Sequence, residues 1–144
     1  MTTEMIIADD QELVRLGYRM VINSQSDLKV TGEAGDGAQA ITAARVLRPD
    51  VMLMDIHMPY VDGVLAARQI VREDPGAKII LVTTFAYDYD DYLEAGLQAG
   101  VRGFLLKDAP PPQLLAAIRA VKAGELVLPS APAGASGSAP ASAV

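Results

Sequence analysis

The sequence predicts a doubly wound α/β domain in which helices cover both faces of a five-stranded parallel sheet. Two observations predict this fold class. Short apolar runs alternate along the chain with longer segments whose apolar residues recur at helical spacing. Three of the five runs are apolar almost throughout, which is typical of parallel strands buried on both faces. Successive runs end about 25 residues apart, which is enough for one crossover helix and its turns.

The predicted strands are short apolar runs with polar or charged residues close by. They are residues 5–8, 28–32, 51–54, 79–82 and 103–106. A helix is predicted after each strand, at residues 11–24, 38–47, 64–72, 90–99 and 112–123.

Each predicted helix has a local signal. In the first, Leu13, Leu16 and Met20 form a stripe that is predicted to face the core. The second stops before Pro49, because proline disfavours helix in the residue that precedes it. The third follows an Asp-Gly pair at 62–63, which is typical of a turn and helix cap. Glycines at 100 and 124 follow the fourth and fifth helices.

Composition excludes several classes of function. The 144-residue chain has a formal charge of −6, whereas binding to nucleic acid phosphates needs a basic face, so no direct nucleic-acid contact is expected. The chain has no cysteine and one histidine, His57, which excludes thiol chemistry and metal sites with several imidazoles. No stretch has the composition of a membrane span and the first residues lack a secretion signal, so a cytoplasmic location is expected.

The end of the chain differs in composition from the rest. Residues 129–144 are almost all Ala, Pro, Ser or Gly and carry no charge. Such a segment buries too little surface to offset the entropy lost on ordering, so we expect a flexible linker or tail. The folded domain is predicted to span residues 1–128. Because the tail resembles an interdomain linker, we expect the chain to be a fragment of a longer protein rather than a single-domain protein with a tail.

Polar side chains follow four of the five predicted strands. In parallel sheets, ligands bind beyond the carboxyl ends of the strands, where these side chains are expected to converge. Three carboxylates placed together repel one another, and a hard divalent cation such as Mg²⁺ removes that repulsion. Each residue alone has a simpler explanation; Asp9 or Asp10, for example, suits a capping box with Glu12. The residues are Asp9, Asp10, Asp55, Thr83, Thr84 and Lys107.

These residues and their neighbours resemble a known family, the receiver domain of bacterial two-component response regulators. The resemblance is greatest to the NarL/FixJ-type subfamily, which has a LuxR-type helix-turn-helix output domain. It rests on Asp9-Asp10, on Asp55 in the run Met-Asp-Ile-His-Met-Pro, on Thr83 and on the run from Gly103 to Asp108. It covers about residues 4–128. It implies a flavodoxin-like (βα)5 fold with strand order 2-1-3-4-5.

The resemblance implies a phosphoryl-transfer site. Asp55 would accept a phosphoryl group from a sensor histidine kinase or a small phosphodonor. Asp9, Asp10, Asp55 and the main-chain carbonyl of His57 would hold Mg²⁺. The chain would then be a regulator and not an enzyme beyond its own phosphorylation and dephosphorylation.

The resemblance also implies residues that respond to phosphorylation. Lys107, Thr83 and Thr84 would contact the phosphoryl group, and Thr84 would narrow access because many receivers have a smaller residue there. Phe104 would act as an aromatic switch that turns inward as Thr83 moves. The shifted conformation would control a DNA-binding output domain that this chain does not include. It could also lead two copies of the chain to form a homodimer.

Three local features depart from the common pattern or extend it. Asp108 follows Lys107 where many receivers have a cis proline, so the peptide geometry there is left open. His57 is predicted to lie near the phosphoryl group and to modulate its hydrolysis. The tyrosines of residues 85–92 suit a partner-binding patch or aromatic packing over the sheet edge.

Other functions fit the sequence less well. An aspartyl-nucleophile phosphohydrolase would carry a second aspartate where this chain has His57. A receiver-like interaction module that works without phosphorylation need not keep all five of the characteristic residues. A flavin carrier of similar topology would need a phosphate-binding loop after the first strand, where Asp9-Asp10 would repel the phosphate.

Overall fold

The computed structural model describes residues 1–84 and 89–128, with no side chain described for residue 89. Strands and helices alternate throughout this part. The strands are β1 (Thr3–Ala8), β2 (Leu28–Ala34), β3 (Val51–Asp55), β4 (Ile79–Thr83) and β5 (Gly103–Leu106). The helices are α1 (Glu12–Asn23), α2 (Gly37–Leu47), α3 (Gly63–Glu73), α4 (Tyr89–Ala99) and α5 (Pro111–Lys122).

The five strands form one parallel sheet in the order β2-β1-β3-β4-β5. The predicted fold class and strand order are confirmed. The order changes direction beside β1 and β3, so the crevice beyond the carboxyl ends of these two strands is the position at which such sheets bind ligands.

Alternate residues of β1, β3 and β4 enter different apolar cores, which explains why the apolar runs in these strands do not alternate with polar residues. On β1, Ile6 and Ala8 join the core beneath α2, α3 and α4, whereas Met5 and Ile7 join the core beneath α1 and α5. All four residues are buried. A strand covered on both faces has no solvent side, so its sequence does not alternate between polar and apolar residues.

The prediction that the stripe on α1 faces the core is wrong. Leu13 is 80% exposed and Met20 is 65% exposed, and Leu16 is also exposed. The side of α1 that meets the sheet carries Tyr18, Val21 and Ile22 instead. The apolar arc of this helix is wider than the surface it buries, and spacing alone does not say which part of a wide arc faces inward.

No helix within the described ranges is both long enough and apolar enough to cross a membrane.

Candidate functional site

Two neighbouring strands bring the acidic residues together. Ala8 of β1 pairs with Met54 of β3, so the residues that follow them, Asp9 and Asp55, leave the sheet side by side. Asp9 is 1% exposed and Asp55 is 4% exposed, whereas Asp10 is exposed. One carboxylate oxygen from each of the three residues lies within 4.8 Å of the others. The predicted convergence of these three carboxylates is therefore present.

Lys107 reaches the acidic group from the loop after β5. Its backbone N–H donates to the carbonyl of Thr83 at 2.8 Å, which continues the ladder between β4 and β5 past the strand end. Its Nζ lies 3.1 Å from Asp9 Oδ2 and donates a hydrogen bond to Asp55 Oδ2 at 3.3 Å. The lysine thus contacts both buried carboxylates.

The charges at this site alter one another's ionisation. Burial raises the pKa of Asp55 and the charge of Asp9 raises it further, while Lys107 and the His57 backbone amide act against the rise. Burial lowers the pKa of Lys107, but its contacts with Asp9 and Asp55 outweigh burial, so this pKa is raised above its usual value. Lys107 is consequently a cation at neutral pH, and it favours the ionised form of Asp55.

The acidic group has the donor set of a divalent-cation site. Within the described part, the buried Asp9 Oδ2 accepts no hydrogen bond, although Lys107 Nζ is close. Leaving a buried carboxylate oxygen without a hydrogen bond is costly. Mg²⁺ binds oxygen ligands and is commonly held by one or two carboxylates together with water and phosphate oxygens. Asp9, Asp10 and Asp55 therefore fit a magnesium ion.

Close backbone packing fixes the loop that follows Asp55. A Cβ on Gly63 would lie 2.2 Å from the Asp55 carbonyl oxygen, so only glycine fits between α3 and the end of β3. The Gly63 N–H donates to the Ile56 carbonyl at 2.7 Å. Asp62 caps α3 by accepting from the Leu65 N–H at 2.9 Å, which confirms the predicted Asp-Gly turn and cap.

Thr83, Thr84 and Phe104 lie on the β4 and β5 side of the site. Thr83 is buried and directly follows Val82, the residue of β4 that pairs with Asp55. The Thr83 hydroxyl donates a hydrogen bond to the Thr84 carbonyl at 3.0 Å. Thr84 is exposed. The Phe104 side chain is buried, and a Cβ on Gly96 of α4 would lie 2.7 Å from its ring. The aromatic ring is thus inside the domain in this conformation.

His57 contacts the helix that lies beyond the site. Its side chain is exposed, and its ring meets that of Tyr92 on α4 edge to face, with centroids 5.2 Å apart. The contact links the loop after Asp55 to α4. Tyr92 belongs to the predicted tyrosine patch at residues 85–92, but residues 85–88 and the side chain of residue 89 lie outside the described part.

The structure decides the capping of α1 and the geometry of the Lys107–Asp108 peptide. The capping-box alternative is wrong, because Gln11 occupies the N-cap of α1 and no side chain caps that helix. Asp9 Oδ1 instead accepts from the Gln11 N–H at 2.9 Å, which orients the carboxylate. The Lys107–Asp108 peptide is trans, since the described residues contain no cis peptide bond.

Sequence reasoning missed Tyr18. This α1 residue is partly buried, and burial together with the charges of Asp9 and Asp55 raises its pKa to about 12. Its phenol therefore stays protonated at neutral pH beside the acidic group. A tyrosine at helical spacing looks like an ordinary core residue, and Tyr18 does pack against the core between α1 and the sheet. Its sequence gives no separate signal of its electrostatic role.

Comparison with known proteins decides the family. The pattern described as "Response regulator receiver domain" matches residues 5–119, which is most of the chain. The chain belongs to this family. Receiver domains bind Mg²⁺ at an acidic pocket, and the carboxylate cluster of this chain lies at such a position. As a response regulator receiver, it belongs to a regulatory rather than a metabolic family.

Similar receivers occur in transcription regulators. The chain is 49% identical over 121 residues to the uncharacterized transcriptional regulatory protein YxjL of Bacillus subtilis, covering 84% of the chain and 55% of that protein. It is 42% identical over 123 residues to the oxygen regulatory protein NreC of Staphylococcus aureus, covering 85% of the chain and 56% of that protein. The chain thus spans about half the length of these relatives.

Solved receiver structures superpose well on this chain. A LuxR-family two-component response regulator from Aurantimonas has a TM-score of 0.82 at 31% identity, covering 88% of this chain and 89% of that one. The receiver domain of the putative response regulator NarL from Mycobacterium tuberculosis has a TM-score of 0.80 at 30% identity, covering 86% and 98%. These comparisons confirm the resemblance to NarL- and LuxR-type regulators.

Proposed function

We propose that this receiver accepts a phosphoryl group on Asp55 from a sensor histidine kinase and changes conformation to control a DNA-binding output. One observation carries the proposal: Asp55 lies buried beside Asp9, with Lys107 in contact with both and Asp10 within reach. Charged residues are rarely buried together unless a partner or ligand compensates them. A bound metal ion and a phosphoryl group supply that compensation.

The chemistry follows from the positions of the side chains. The ionised Asp55 attacks phosphorus; the P–N bond of a phosphohistidine breaks, an acyl phosphate forms, and the imidazole leaves with the electron pair and takes up a proton. Lys107 is placed to stabilise negative charge on the phosphoryl oxygens. Asp9, Asp10, Asp55 and the His57 main-chain carbonyl would hold Mg²⁺, which supplies further charge neutralisation when bound.

The proposed switch uses Thr83 and Phe104. Phosphorylation adds negative charge and acceptor oxygens beside the end of β4. A Thr83 hydroxyl that turns from the Thr84 carbonyl towards the phosphoryl group would shift the end of β4. Phe104 packs directly beneath Gly96 of α4, so its ring and this helix shift together. Phosphorylation then favours one of two packings of α4 and β5.

The partners we propose extend beyond this chain. The output would be a LuxR-type DNA-binding domain, as the names of similar proteins suggest, with transcription as the regulated process. This chain itself, with a formal charge of −6, would not contact DNA. We propose a cytoplasmic location and homodimerisation on phosphorylation. We also propose a domain at 1–128 followed by a linker or tail at 129–144.

A surface beside the site suits a protein phosphodonor. The exposed Leu13, Leu16 and Met20 form an apolar stripe on α1. A shallow groove between α1 and α5 continues from this stripe to Lys107 and is lined by Leu13, Gly17 and Leu114. An apolar surface that leads to the phosphoacceptor site is what a kinase helix needs in order to bring its phosphohistidine close.

We expect one phosphoryl group to be added to the chain by acetyl phosphate with Mg²⁺, and none to Asp55→Ala. Asp55 supplies the attacking oxygen. The other buried carboxylate at the site, Asp9, follows β1 and does not replace it. Intact mass spectrometry measures the added group. Asp74→Ala is the matched control, because Asp74 follows α3 at the opposite edge of the sheet and accepts a hydrogen bond from Gly76 there. An unmodified native chain, or a phosphorylated Asp55→Ala, would contradict the proposal.

His57→Ala is expected to shorten the phosphoryl half-life by about threefold, because removing an exposed side chain two residues after Asp55 would open a path for water. Loss of phosphate after removal of the donor, followed by intact mass, gives the half-life. Tyr92→Phe is the control, since it keeps the aromatic partner of His57. An unchanged half-life in His57→Ala would show that this residue does not modulate hydrolysis.

A further inference from the structure

A strained turn lies in the loop after Asp55. The Val61 N–H donates to the Pro59 carbonyl at 2.8 Å, which closes a three-residue turn around Tyr60. Tyr60 has φ +68°. The positive-φ form of this turn is rare and strained, and a bulky side chain with a Cβ makes it costlier than glycine would. A tyrosine is thus held where the backbone favours glycine.

Nothing in the described structure compensates this strain. The Tyr60 side chain is 92% exposed. Aromatic side chains usually stabilise a fold by burying a large apolar area, and this ring buries almost none. Tyr60 therefore lowers the stability of the domain, and no contact among the described residues offsets this loss. Backbone strain of this kind is common where it serves binding or switching.

The loop holds Tyr60 in a fixed place. A Cβ on Gly37 would lie 2.0 Å from the Val61 carbonyl oxygen, so this side of the turn packs directly on the start of α2. Gly63 packs on the backbone of Asp55 and Ile56 on the other side. Both flanks of Tyr60 are thus anchored, and its ring projects from the tip of a short loop that begins at the phosphoacceptor.

We infer that Tyr60 is a specificity-determining contact for the sensor kinase that phosphorylates Asp55, an inference that rests on the proposed function. A protein that places a phosphohistidine against Asp55 must approach the loop on which Tyr60 stands. Because the backbone of Tyr60 is anchored, only two side-chain torsions have to be ordered on binding, so the tyrosine offers a large contact area at little cost in conformational entropy. The kinase surface would carry a mainly apolar recess for the ring. A small phosphodonor enters without touching Tyr60.

The test compares two donors on Tyr60→Gly and Tyr60→Asn. Glycine and asparagine both tolerate positive φ, and both substitutions remove the aromatic ring. The donors are acetyl phosphate and an autophosphorylated sensor histidine kinase, chosen beforehand from a purified panel as the fastest donor to the native chain. We expect the rate from acetyl phosphate to stay within about twofold and the rate from the kinase to fall about tenfold or more. The thermal midpoint of Tyr60→Gly should rise by about 3–5 °C as strain is relieved.

Two control variants separate recognition from folding. Tyr60→Phe keeps the ring and should restore the kinase rate. Leu126→Ala removes an exposed apolar side chain beside Val127, which bridges to the first residue of β5 at the opposite edge of the sheet, and should change neither rate.

Each remaining outcome decides against the inference. An equal loss with both donors would make Tyr60 part of the chemical site. An unchanged kinase rate would leave it without a recognition role, and a change only in self-association would assign it to a second copy of the chain. A native chain phosphorylated by acetyl phosphate but by no kinase would also overturn the inference, whereas failure with both donors would reject the proposed function itself.

Discussion

Gly63→Ala is expected to destabilise the domain by about 3 kcal/mol and to slow phosphorylation by acetyl phosphate about a hundredfold. The new Cβ would lie 2.2 Å from the Asp55 carbonyl oxygen and 2.9 Å from the Ile56 Cα. Both are backbone atoms, which cannot rotate away as the end of a side chain can. The end of β3 must therefore shift, and the Asp55 carboxylate shifts with it relative to Lys107.

Chemical denaturation measures the stability change, and intact mass against time measures phosphorylation. Gly17→Ala is the matched control, because Gly17 is a helical glycine whose Cβ would meet no atom within 4 Å. The same substitution there should stabilise the domain by about 0.5–1 kcal/mol through the helix preference of alanine. If Gly63→Ala were as stable as the native chain, the close packing of α3 on β3 would not constrain the site.

Lys107→Met is expected to destabilise the metal-free domain by about 2 kcal/mol and to slow phosphorylation by at least about a hundredfold. Methionine keeps much of the length of the side chain but removes the charge that contacts Asp9 and Asp55. The two buried carboxylates then repel each other without compensation. Saturating Mg²⁺ should recover much of the lost stability, so the ion should stabilise the variant more than the native chain.

The loss of stability in Lys107→Met should depend on pH, and the pKa of Asp55 sets the direction of this dependence. Burial and Asp9 raise the pKa of Asp55, so the folded domain takes up a proton there more readily than the unfolded chain does. Protonation removes one of the two repelling charges. The stability difference between Lys107→Met and the native chain should therefore narrow as the pH is lowered from neutral towards the raised pKa, in the absence of Mg²⁺.

A surface lysine provides the comparison for Lys107→Met. Lys122 pairs with Asp50 at 3.1 Å, and both side chains are well exposed. Lys122→Met should change stability by less than about 1 kcal/mol, because solvent screens exposed ion pairs. Equal losses in the two variants, or a loss in Lys107→Met that does not respond to Mg²⁺, would contradict the role of Lys107 as a counter-ion to buried carboxylates.

The sequence by itself determined the fold and the composition of the acidic site. Continuous apolar strands require cover on both faces, and a parallel sheet with helices on each side meets this requirement. In such a sheet the residues after β1 and β3 leave at the same edge. Asp9 and Asp55 were therefore predictable neighbours, and the resemblance to receivers supplied the strand order that makes them adjacent.

Only the tertiary structure decided which apolar residues are buried and where strain is stored. Leu13 and Met20 are as apolar as any core residue, yet the placement of α1 on the sheet leaves them exposed. Tyr60 adopts positive φ because its loop is packed from two sides, a constraint that no local sequence rule encodes. Spacing along the chain specifies local geometry, whereas exposure and strain depend on contacts between residues that are distant in sequence.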